Sequence, residues 1–437
     1  MNSRSYNFEL FILPNPSGMR IRRWNWICFI CSTILVSFTQ SALPVPQSVG
    51  PQAIFEWTQV EYKYPNQEER QKDIDCENFI PGVPVIIDVD VAFNGDEKRR
   101  QYFVTTPRFQ AGIPATLGKV TNEKIGSNNV IEPYPNWSWH RDPTKCLRDR
   151  LISVFRVEID TCGRLWVLDN GSYQDDLICS PQIIAFDLKT NQVVYRYEIP
   201  ANLLQSNSLL VTPVVDVTDG CLNPFVYAAD CQANSLIVYD QVRNSSWRIQ
   251  DKTMYPDPNW GTYTILGESF DLMDGILGMA MNGGQEPKKL FYHAMSSNTE
   301  HAVKISELRN ESQFKDNPNS SPDVFHTYRG RRRSQSPAEA IDKYGILYFG
   351  DVNEVTLNCW DTATEYGPRH IRTLSNNHTI LQFTSGMKVR DSFRHNQDLF
   401  VVTSRFQKVS LGTLNPKEVN FRVLKLQLNH FTKRKCS

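Results

Sequence analysis

A short apolar run that ends a hairpin recurs six times along this chain, and this recurrence limits the possible fold more than any other feature. The first complete unit spans residues 152–171, where two alternating runs flank the polar turn at 160–163. β-Branched and aromatic residues dominate both runs, which is typical of an antiparallel hairpin. Two further runs, at 183–188 and 193–199, complete four short strands, the content of one propeller blade.

The second strand of this unit serves as a marker for the repeat. Equivalent runs return every 50 to 65 residues or so, roughly the spacing of blades that carry loop insertions. The markers are residues 101–106, 164–169, 225–230, 289–294, 345–350 and 398–403. The third strand repeats as well, because IIAFD at 183–187 returns as LIVYD at 236–240. The sequence therefore predicts an all-β fold, a six-bladed β-propeller with four-stranded antiparallel blades around a central channel.

The first 42 residues are predicted to be a signal peptide, with a possible extra N-terminal extension before Met19. Three arginines at 20, 22 and 23 precede an apolar stretch at 24–38, and the small residues Ser41 and Ala42 follow. A membrane anchor is the alternative, but it needs an apolar stretch of about 20 residues. No linker divides residues 43–437, which are predicted to form a single secreted, extracellular propeller domain.

The charge balance limits which classes of partner are expected, and the cysteine content indicates disulfides. The chain has 47 basic and 47 acidic residues, which gives no field to attract nucleic acid or an anionic membrane. Export would place the cysteines outside the signal in an oxidising compartment, and their even number without a CxxC pair favours disulfides over zinc. The pairing is left open, although some bridges are expected to join neighbouring blades. The disulfide candidates are Cys76, Cys146, Cys162, Cys179, Cys221, Cys231, Cys359 and Cys436.

Six sequons fit the pattern for N-glycosylation, which export would make possible. The candidates are Asn136, Asn170, Asn244, Asn310, Asn319 and Asn377. Asn170 ends a marker strand, so an alternative position facing the channel stays open for it.

A series of longer motifs resembles the Yellow and major royal jelly protein family of insects. The motifs are FEWTQVEY, FVTTPRFQAGIPATL, EPYPNW, RLWVLDNG, PQIIAFDL, SLIVYD, SQSPAEA, GILYFG, NCWD and LQFTSGMKV, in order across residues 55–424. The resemblance implies a secreted, glycosylated, six-bladed propeller. It also implies several activities, because the family includes melanin-pathway pigmentation proteins, dopachrome-converting proteins, nutritive jelly proteins and salivary proteins that bind biogenic amines.

The resemblance to the amine-binding members implies that Thr384, Ser404 and Phe406 bind the ligand. Ser404 stands where many relatives have Asn. Position alone adds four further candidates, because they lie in loops or turns near the predicted inner strands, which begin near Val85, Ser153, Val214, Ile276, Ser336 and Gly386. These four are Tyr134, Trp137, Gln335 and Asp271, for each of which a structural role is the alternative.

The expected function is that of a secreted Yellow-type protein in pigmentation or a related extracellular process. Its expected partner is a small aromatic amine or a catechol-derived ligand in the channel, with no cofactor, no nucleic acid and no membrane. One alternative is a dopachrome-converting tautomerase, with Asp271 as a candidate base. Another is a calcium-dependent hydrolase using Asp169, Asn170, Asp271 and Glu354, and a third is a structural or nutritive protein without a specific ligand.

Overall fold

Six antiparallel sheets are arranged in a ring around one axis, which confirms the predicted six-bladed propeller. The computed structural model describes residues 50–93, 95–96, 99–283, 285–393, 396–428 and 436. The predicted signal and its boundary at residue 42 lie outside these residues. Within the described chain, no helix combines the length and the apolar character that crossing a bilayer requires.

The elements that precede the first blade are two strands and a helix. They are β1 (Gln52–Trp57), β2 (Glu61–Tyr62) and α1 (Gln67–Asp75). Asn66 caps α1, because its side-chain oxygen accepts a hydrogen bond from the Glu69 amide. Blade 1 then contains β3 (Asp88–Ala92), β4 (Gln101–Thr105), β5 (Leu117–Ile125) and β6 (Asn128–Pro133). β2 adds a fifth strand to this blade, parallel to β6.

Blades 2 and 3 follow the predicted four-strand pattern, with one inserted hairpin. Blade 2 contains β7 (Val154–Ile159) and β8 (Arg164–Asp169), then the separate hairpin β9 (Ser172–Tyr173) and β10 (Asp176–Leu177), then β11 (Gln182–Asp187) and β12 (Val193–Glu198). Blade 3 contains β13 (Leu210–Asp216), β14 (Phe225–Asp230), β15 (Ser235–Asp240) and β16 (Ser245–Ile249). A second inserted hairpin, β17 (Thr262–Ile265) and β18 (Glu268–Asp271), follows blade 3.

Blades 4 to 6 complete the ring. Blade 4 contains β19 (Ile276–Met281), β20 (Lys289–Ala294) and β21 (His301–Lys304), then the short helices α2 (Ile305–Leu308) and α3 (Glu311–Phe314), then β22 (His326–Thr327). Blade 5 contains β23 (Glu339–Ile341), β24 (Ile346–Asp351), β25 (Thr356–Asp361) and β26 (Ile371–Asn376). Blade 6 contains β27 (Thr384–Asp391), β28 (Gln397–Thr403), α4 (Phe406–Ser410) and β29 (Phe421–Gln427). The inner strands β3, β7, β13, β19, β23 and β27 begin within four residues of the predicted positions.

The N-terminal strand β1 supplies the fourth strand of blade 6. It pairs antiparallel with β29, with Gln52 opposite Lys425 and Trp57 opposite Phe421. Trp57 is fully buried, and its indole N–H donates a hydrogen bond to the Asn129 carbonyl oxygen at 2.6 Å. The first and the last strand of the described residues therefore lie in one sheet and close the ring, an arrangement that the sequence did not predict.

Hydrophobic clusters fill the joints between neighbouring blades, so each blade is stabilised by the next. At the joint between blades 6 and 1, Phe400 and Val402 pack with Val89, Val91 and Val104. Glycine allows a close approach at the same joint, because a Cβ atom on Gly386 would lie 2.9 Å from the Ile87 carbonyl oxygen.

Replacing Gly386 by alanine is expected to destabilise the ring at this joint. The added methyl group would contact backbone atoms of blade 1, which cannot rotate away, and overpacking of this kind costs about 1–3 kcal/mol. Urea unfolding followed by tryptophan fluorescence measures the change. Gly283→Ala is the matched control, because a Cβ at that position meets no atom within 4 Å. Equal stability of the two variants would contradict the packing argument.

Three disulfides join six of the eight candidate cysteines. Cys162 and Cys221 link the first hairpin turns of blades 2 and 3, as expected for a bridge between neighbours. The other bridges are Cys146–Cys179 and Cys359–Cys436, the second of which ties β25 to the C-terminal tail. For the remaining two candidates, Cys76 and Cys231, the predicted disulfide is wrong, because both are free thiols. One is exposed at the end of α1 and the other is buried in the core, so they do not meet.

Candidate functional site

A single arginine crosses the propeller axis and divides it into an upper and a lower part, which we call the upper and the lower chamber. We call the end at which the inner strands begin the upper end. Arg156, the third residue of β7, is only 4% exposed and points across the axis. Its guanidinium donates to Thr212 Oγ1 at 3.0 Å and to the carbonyl oxygens of Leu277, Pro337 and Ser385 at 3.1, 2.7 and 2.7 Å. One side chain therefore connects the inner strands of blades 3, 4 and 6 and the residue just before that of blade 5 to blade 2.

The upper chamber is walled by apolar side chains and covered by five phenylalanines. Val211, Leu277, Ala338 and Phe383 belong to one hydrophobic cluster, and each lies at, or within two residues of, an acceptor of the Arg156 guanidinium. We call Phe109, Phe155, Phe270, Phe383 and Phe406 the aromatic cluster. The Phe383 and Phe406 rings stack at 4.9 Å, Phe270 lies 5.8 Å from Phe406, and Phe109 lies 6.5 Å from Phe406 and 6.4 Å from Phe155. All except Phe383 are partly exposed, so the cluster presents ring surface to a ligand.

The structure brings together the three residues implied by the family resemblance. Thr384 opens β27 and pairs with Thr403 of β28, and the Ser404 amide donates to the Phe383 carbonyl oxygen at 3.3 Å. Phe406 begins α4 and stacks on Phe383. Ser404 Oγ is buried and has no hydrogen-bond partner. A hydroxyl group next to the aromatic cluster therefore remains available to a polar group of a ligand.

The other four predicted residues have structural contacts of their own. Tyr134 is fully buried between Phe103 and Phe186, at ring distances of 5.1 and 5.5 Å. Trp137 stacks on Tyr64 at 4.5 Å at the rim of blade 1.

Gln335 bonds to the start of the β17–β18 hairpin, and Asp271 is the last residue of that hairpin. The Gln335 amide donates to the carbonyl oxygens of Trp260 and Thr262, at 2.9 and 2.8 Å. Asp271 is exposed and accepts a hydrogen bond from Thr262 Oγ1 at 2.7 Å.

The β17–β18 hairpin covers part of the upper chamber, which the sequence did not reveal. It carries Phe270 to the aromatic cluster, where the ring also stacks on Tyr263 at 5.1 Å. Glu268 forms a 2.7 Å ion pair with Lys408 of α4, so the hairpin spans from the entrance of blade 4 to blade 6. The signal for this element was only the short alternating run TYTI, which resembles a blade strand.

A cavity of about 330 Å³ opens beside the aromatic cluster, between blades 2 and 3. Phe109 and Phe155 form part of its wall, together with leucine side chains and with polar groups that include Asn170, Asp175 and Gln232. Asn170 is only 4% exposed, and its side-chain oxygen accepts from the Ser172 amide at 2.9 Å. Among the six sequon asparagines it is the one that the fold encloses, whereas the other five are exposed.

The lower chamber contains a small cavity lined in part by charged side chains. Its cavity measures about 110 Å³ and is lined by Met279, Met281 and Met387 together with ionic groups. Lys388 lies 3.0 Å from Glu158, and Arg390 lies 2.8 Å from the same carboxylate. Burial alone would raise the pKa of Glu158, but the two cations outweigh it and lower this pKa. The charges are thus compensated within the wall, which favours a structural role for this chamber.

Two of the carboxylates considered for calcium, Asp169 and Asp271, accept hydrogen bonds within the fold. Asp169 accepts hydrogen bonds from the amides of Ile152 and Ser153 at 2.9 and 2.8 Å. Among the described residues, one group of histidine and carboxylate side chains has its ligand atoms within 4.8 Å of one another, and it consists of His293, Glu300 and Glu339. Burial and the neighbouring Glu339 carboxylate raise the pKa of Glu300 to about 7.

Comparison with known proteins decides the family. The profile described as "Major royal jelly protein" matches residues 152–436, more than half of the chain. The chain is a member of the major royal jelly protein family. The resemblance stated from the sequence motifs is confirmed, and this family member has the fold and the three disulfides described above.

Relatives with different names match this family member over most of its length. It is 35% identical over 393 residues to major royal jelly protein 9 of Apis mellifera, covering 86% of this chain and 88% of that protein. It is 31% identical over 385 residues to dopaminechrome tautomerase of Drosophila melanogaster, covering 86% and 81%. It is 26% identical over 402 residues to protein yellow of Drosophila pseudoobscura pseudoobscura, covering 90% and 69%.

Proposed function

We propose that this family member is a secreted protein that binds a small aromatic amine at the upper end of the propeller axis. We further propose that it acts in pigmentation or a related extracellular process. The observation that carries the proposal is the aromatic cluster at the mouth of a chamber whose floor is Arg156. Three disulfides support export, because such bridges persist in oxidising compartments.

The chemistry of the site matches that of an aromatic amine in two respects. The partly exposed rings of Phe270 and Phe406 offer faces for stacking, and a ring face also attracts an ammonium group. The unpaired Ser404 hydroxyl and the amides of the adjoining cavity supply acceptors for the ammonium or the ring hydroxyls. Small-molecule sites typically combine aromatic and apolar walls with placed polar groups, and this site has both.

A second candidate function is conversion of an aminochrome. It is favoured by the 31% identity to the dopaminechrome tautomerase of Drosophila melanogaster. Such an isomerisation moves a proton from a ring carbon to a carbonyl oxygen, so it needs a base and a donor but no oxidant. Asp271 is a candidate base, because it follows Phe270 on β18 and its exposed carboxylate has one hydrogen-bond donor, Thr262.

Phe406→Ala is expected to weaken binding of dopamine or serotonin by at least about tenfold, measured by titration calorimetry on the secreted protein. The substitution removes the ring that contacts Phe270, Phe383 and Phe109, and a tenfold loss corresponds to about 1.4 kcal/mol. Phe393→Ala is the matched control, because Phe393 is 57% exposed in the turn between β27 and β28, at the lower end. Melting temperatures of both variants establish that they fold.

Each outcome of this experiment is informative. Binding that Phe406→Ala leaves unchanged would place the site elsewhere. No saturable heat with the wild-type protein would favour the structural or nutritive alternative. Faster decay of dopaminechrome absorbance with the wild-type protein, slowed in Asp271→Asn at unchanged affinity, would establish turnover with that carboxylate as the base.

A further inference from the structure

A group of acidic side chains and one histidine is sealed between blades 4 and 5, away from the aromatic cluster. His293 lies on β20, Glu300 precedes β21, and Glu339 opens β23. All three side chains have no exposed surface. Buried carboxylates are costly unless they are paired or coordinate a metal, so the group that neutralises these two must be identified.

The hydrogen bonds fix which nitrogen of His293 carries a proton. Nε2 lies 3.0 Å from the Ser336 carbonyl oxygen, which only accepts, so Nε2 is the donor. In a neutral imidazole, Nδ1 then has a lone pair. Nδ1 lies 3.1 Å from Glu300 Oε2 and 3.0 Å from Glu339 Oε2. Three electron-rich atoms therefore face one another unless a proton or a metal ion lies among them.

A proton on Nδ1 would leave most of the carboxylate oxygens unsatisfied. Arg332 donates to Glu300 Oε2 at 2.7 Å, but Glu300 Oε1 has no hydrogen-bond partner. Both oxygens of Glu339 also lack an aligned donor, although Oε2 is within range of Nδ1. One N–H cannot serve three oxygens, and each buried acceptor left without a partner costs about 1–3 kcal/mol. A metal ion accepts electron pairs from several ligands at once.

We propose that His293, Glu300 and Glu339 bind a divalent transition-metal ion, with Zn²⁺ as the best fit. Nδ1, one Glu300 oxygen and both Glu339 oxygens supply four ligands of the nitrogen and carboxylate types that this ion takes. The outer contacts agree, because a ligating histidine usually donates its other N–H to a carbonyl, here Ser336, and ligating carboxylates are themselves hydrogen-bonded, here by Arg332.

The enclosure of the site indicates a structural ion. No ligand side chain has exposed surface, and of the three only Glu339 lines the cavity of the lower chamber. The ion connects two strands of blade 4 to the inner strand of blade 5. It thus links neighbouring blades, as the Cys162–Cys221 bridge does between blades 2 and 3. The proposal does not depend on the aromatic-amine site.

The test is the metal content of untagged protein secreted from cells and purified without chelators, measured by inductively coupled plasma mass spectrometry. We expect about one equivalent of a divalent transition metal in the wild type, and less than a tenth of an equivalent in Glu339→Gln. Glu158→Gln is the matched control, because it also neutralises a carboxylate on an inner strand, a partly buried one that lies in the Lys388 and Arg390 network. Dipicolinate is expected to lower the melting temperature of the wild type and to leave Glu339→Gln unchanged.

A measurement on the wild type alone covers the case in which Glu339→Gln does not fold. An anomalous difference peak between His293 and Glu339 in a crystal, at the absorption edge of the bound metal, would support the proposal. Metal-free wild-type protein would overturn it, and nitrogen-15 NMR at pH 8 would then show whether His293 carries protons on both nitrogens, making a proton the cation. One equivalent of metal retained in Glu339→Gln would also overturn it.

Discussion

Replacing Arg156 by methionine is expected to lower the free energy of unfolding by about 3–5 kcal/mol, because buried acceptors that lose their donor cost about 1–3 kcal/mol each. The substitution keeps most of the side-chain volume but removes the donors to Thr212 and to the carbonyl oxygens of Leu277, Pro337 and Ser385. The carbonyl oxygens of Pro337 and Ser385 would lose this donor together, whereas the Leu277 carbonyl oxygen keeps the Thr212 hydroxyl as a donor at 2.7 Å. Equilibrium urea unfolding, with the midpoint and slope fitted separately, measures the change.

Two further variants show whether the geometry or the charge of the Arg156 side chain stabilises the propeller. Arg156→Lys keeps the charge but cannot reach four acceptors with a planar fork, so we expect it to recover only part of the stability. Arg329→Met removes an exposed arginine and should change stability by less than about 0.5 kcal/mol. Full recovery by lysine would show that charge alone matters at the axis, and an Arg156→Met protein as stable as the wild type would refute the predicted role.

Removal of the Cys359–Cys436 bridge by a double serine substitution is expected to destabilise the protein by about 4–5 kcal/mol, from the loop-closure entropy of the unfolded chain. The bridge spans 77 residues, which includes all of blade 6 apart from β1. It also fixes the C-terminal tail to blade 5. The same urea experiment measures the effect, with reducing agent absent.

The control for this prediction is Cys76→Ser, which removes an exposed free thiol and should leave the unfolding midpoint unchanged. Cys359→Ser alone should resemble the double variant, because either substitution opens the bridge. A double variant within about 1 kcal/mol of the wild type would show that the β1–β29 pairing closes the ring without help from the disulfide.

The repeat was predictable from sequence because strand periodicity and turn residues are local signals. Each marker run is the second strand of a blade, so the count of six runs equals the number of blades. The meeting of Thr384, Ser404 and Phe406 was also expected, but only through resemblance to relatives.

Long-range contacts were not predictable in the same way. Arg156 stands in FRVEI, where an alternating strand pattern assigns it to a solvated face, yet it crosses the axis to three other inner strands and to Pro337 just before a fourth. His293 and Glu339 lie in different blades, and no spacing in the chain connects them. The β17–β18 hairpin resembled a blade strand because its four-residue runs have the same alternation. Each of these features depends on which segments become neighbours after the ring closes.

The position of β1 beside β29 constrains the order of events during synthesis. The first strand of the folded region emerges from the ribosome hundreds of residues before the strand that it pairs with. Until then the backbone groups of β1 that pair with β29 lack their final partners, and exposed strand edges promote aggregation. Blades 1 to 5 can form as the chain grows, whereas blade 6 must wait for the last segment. A chain that stops before residue 421 would therefore be left with an open ring.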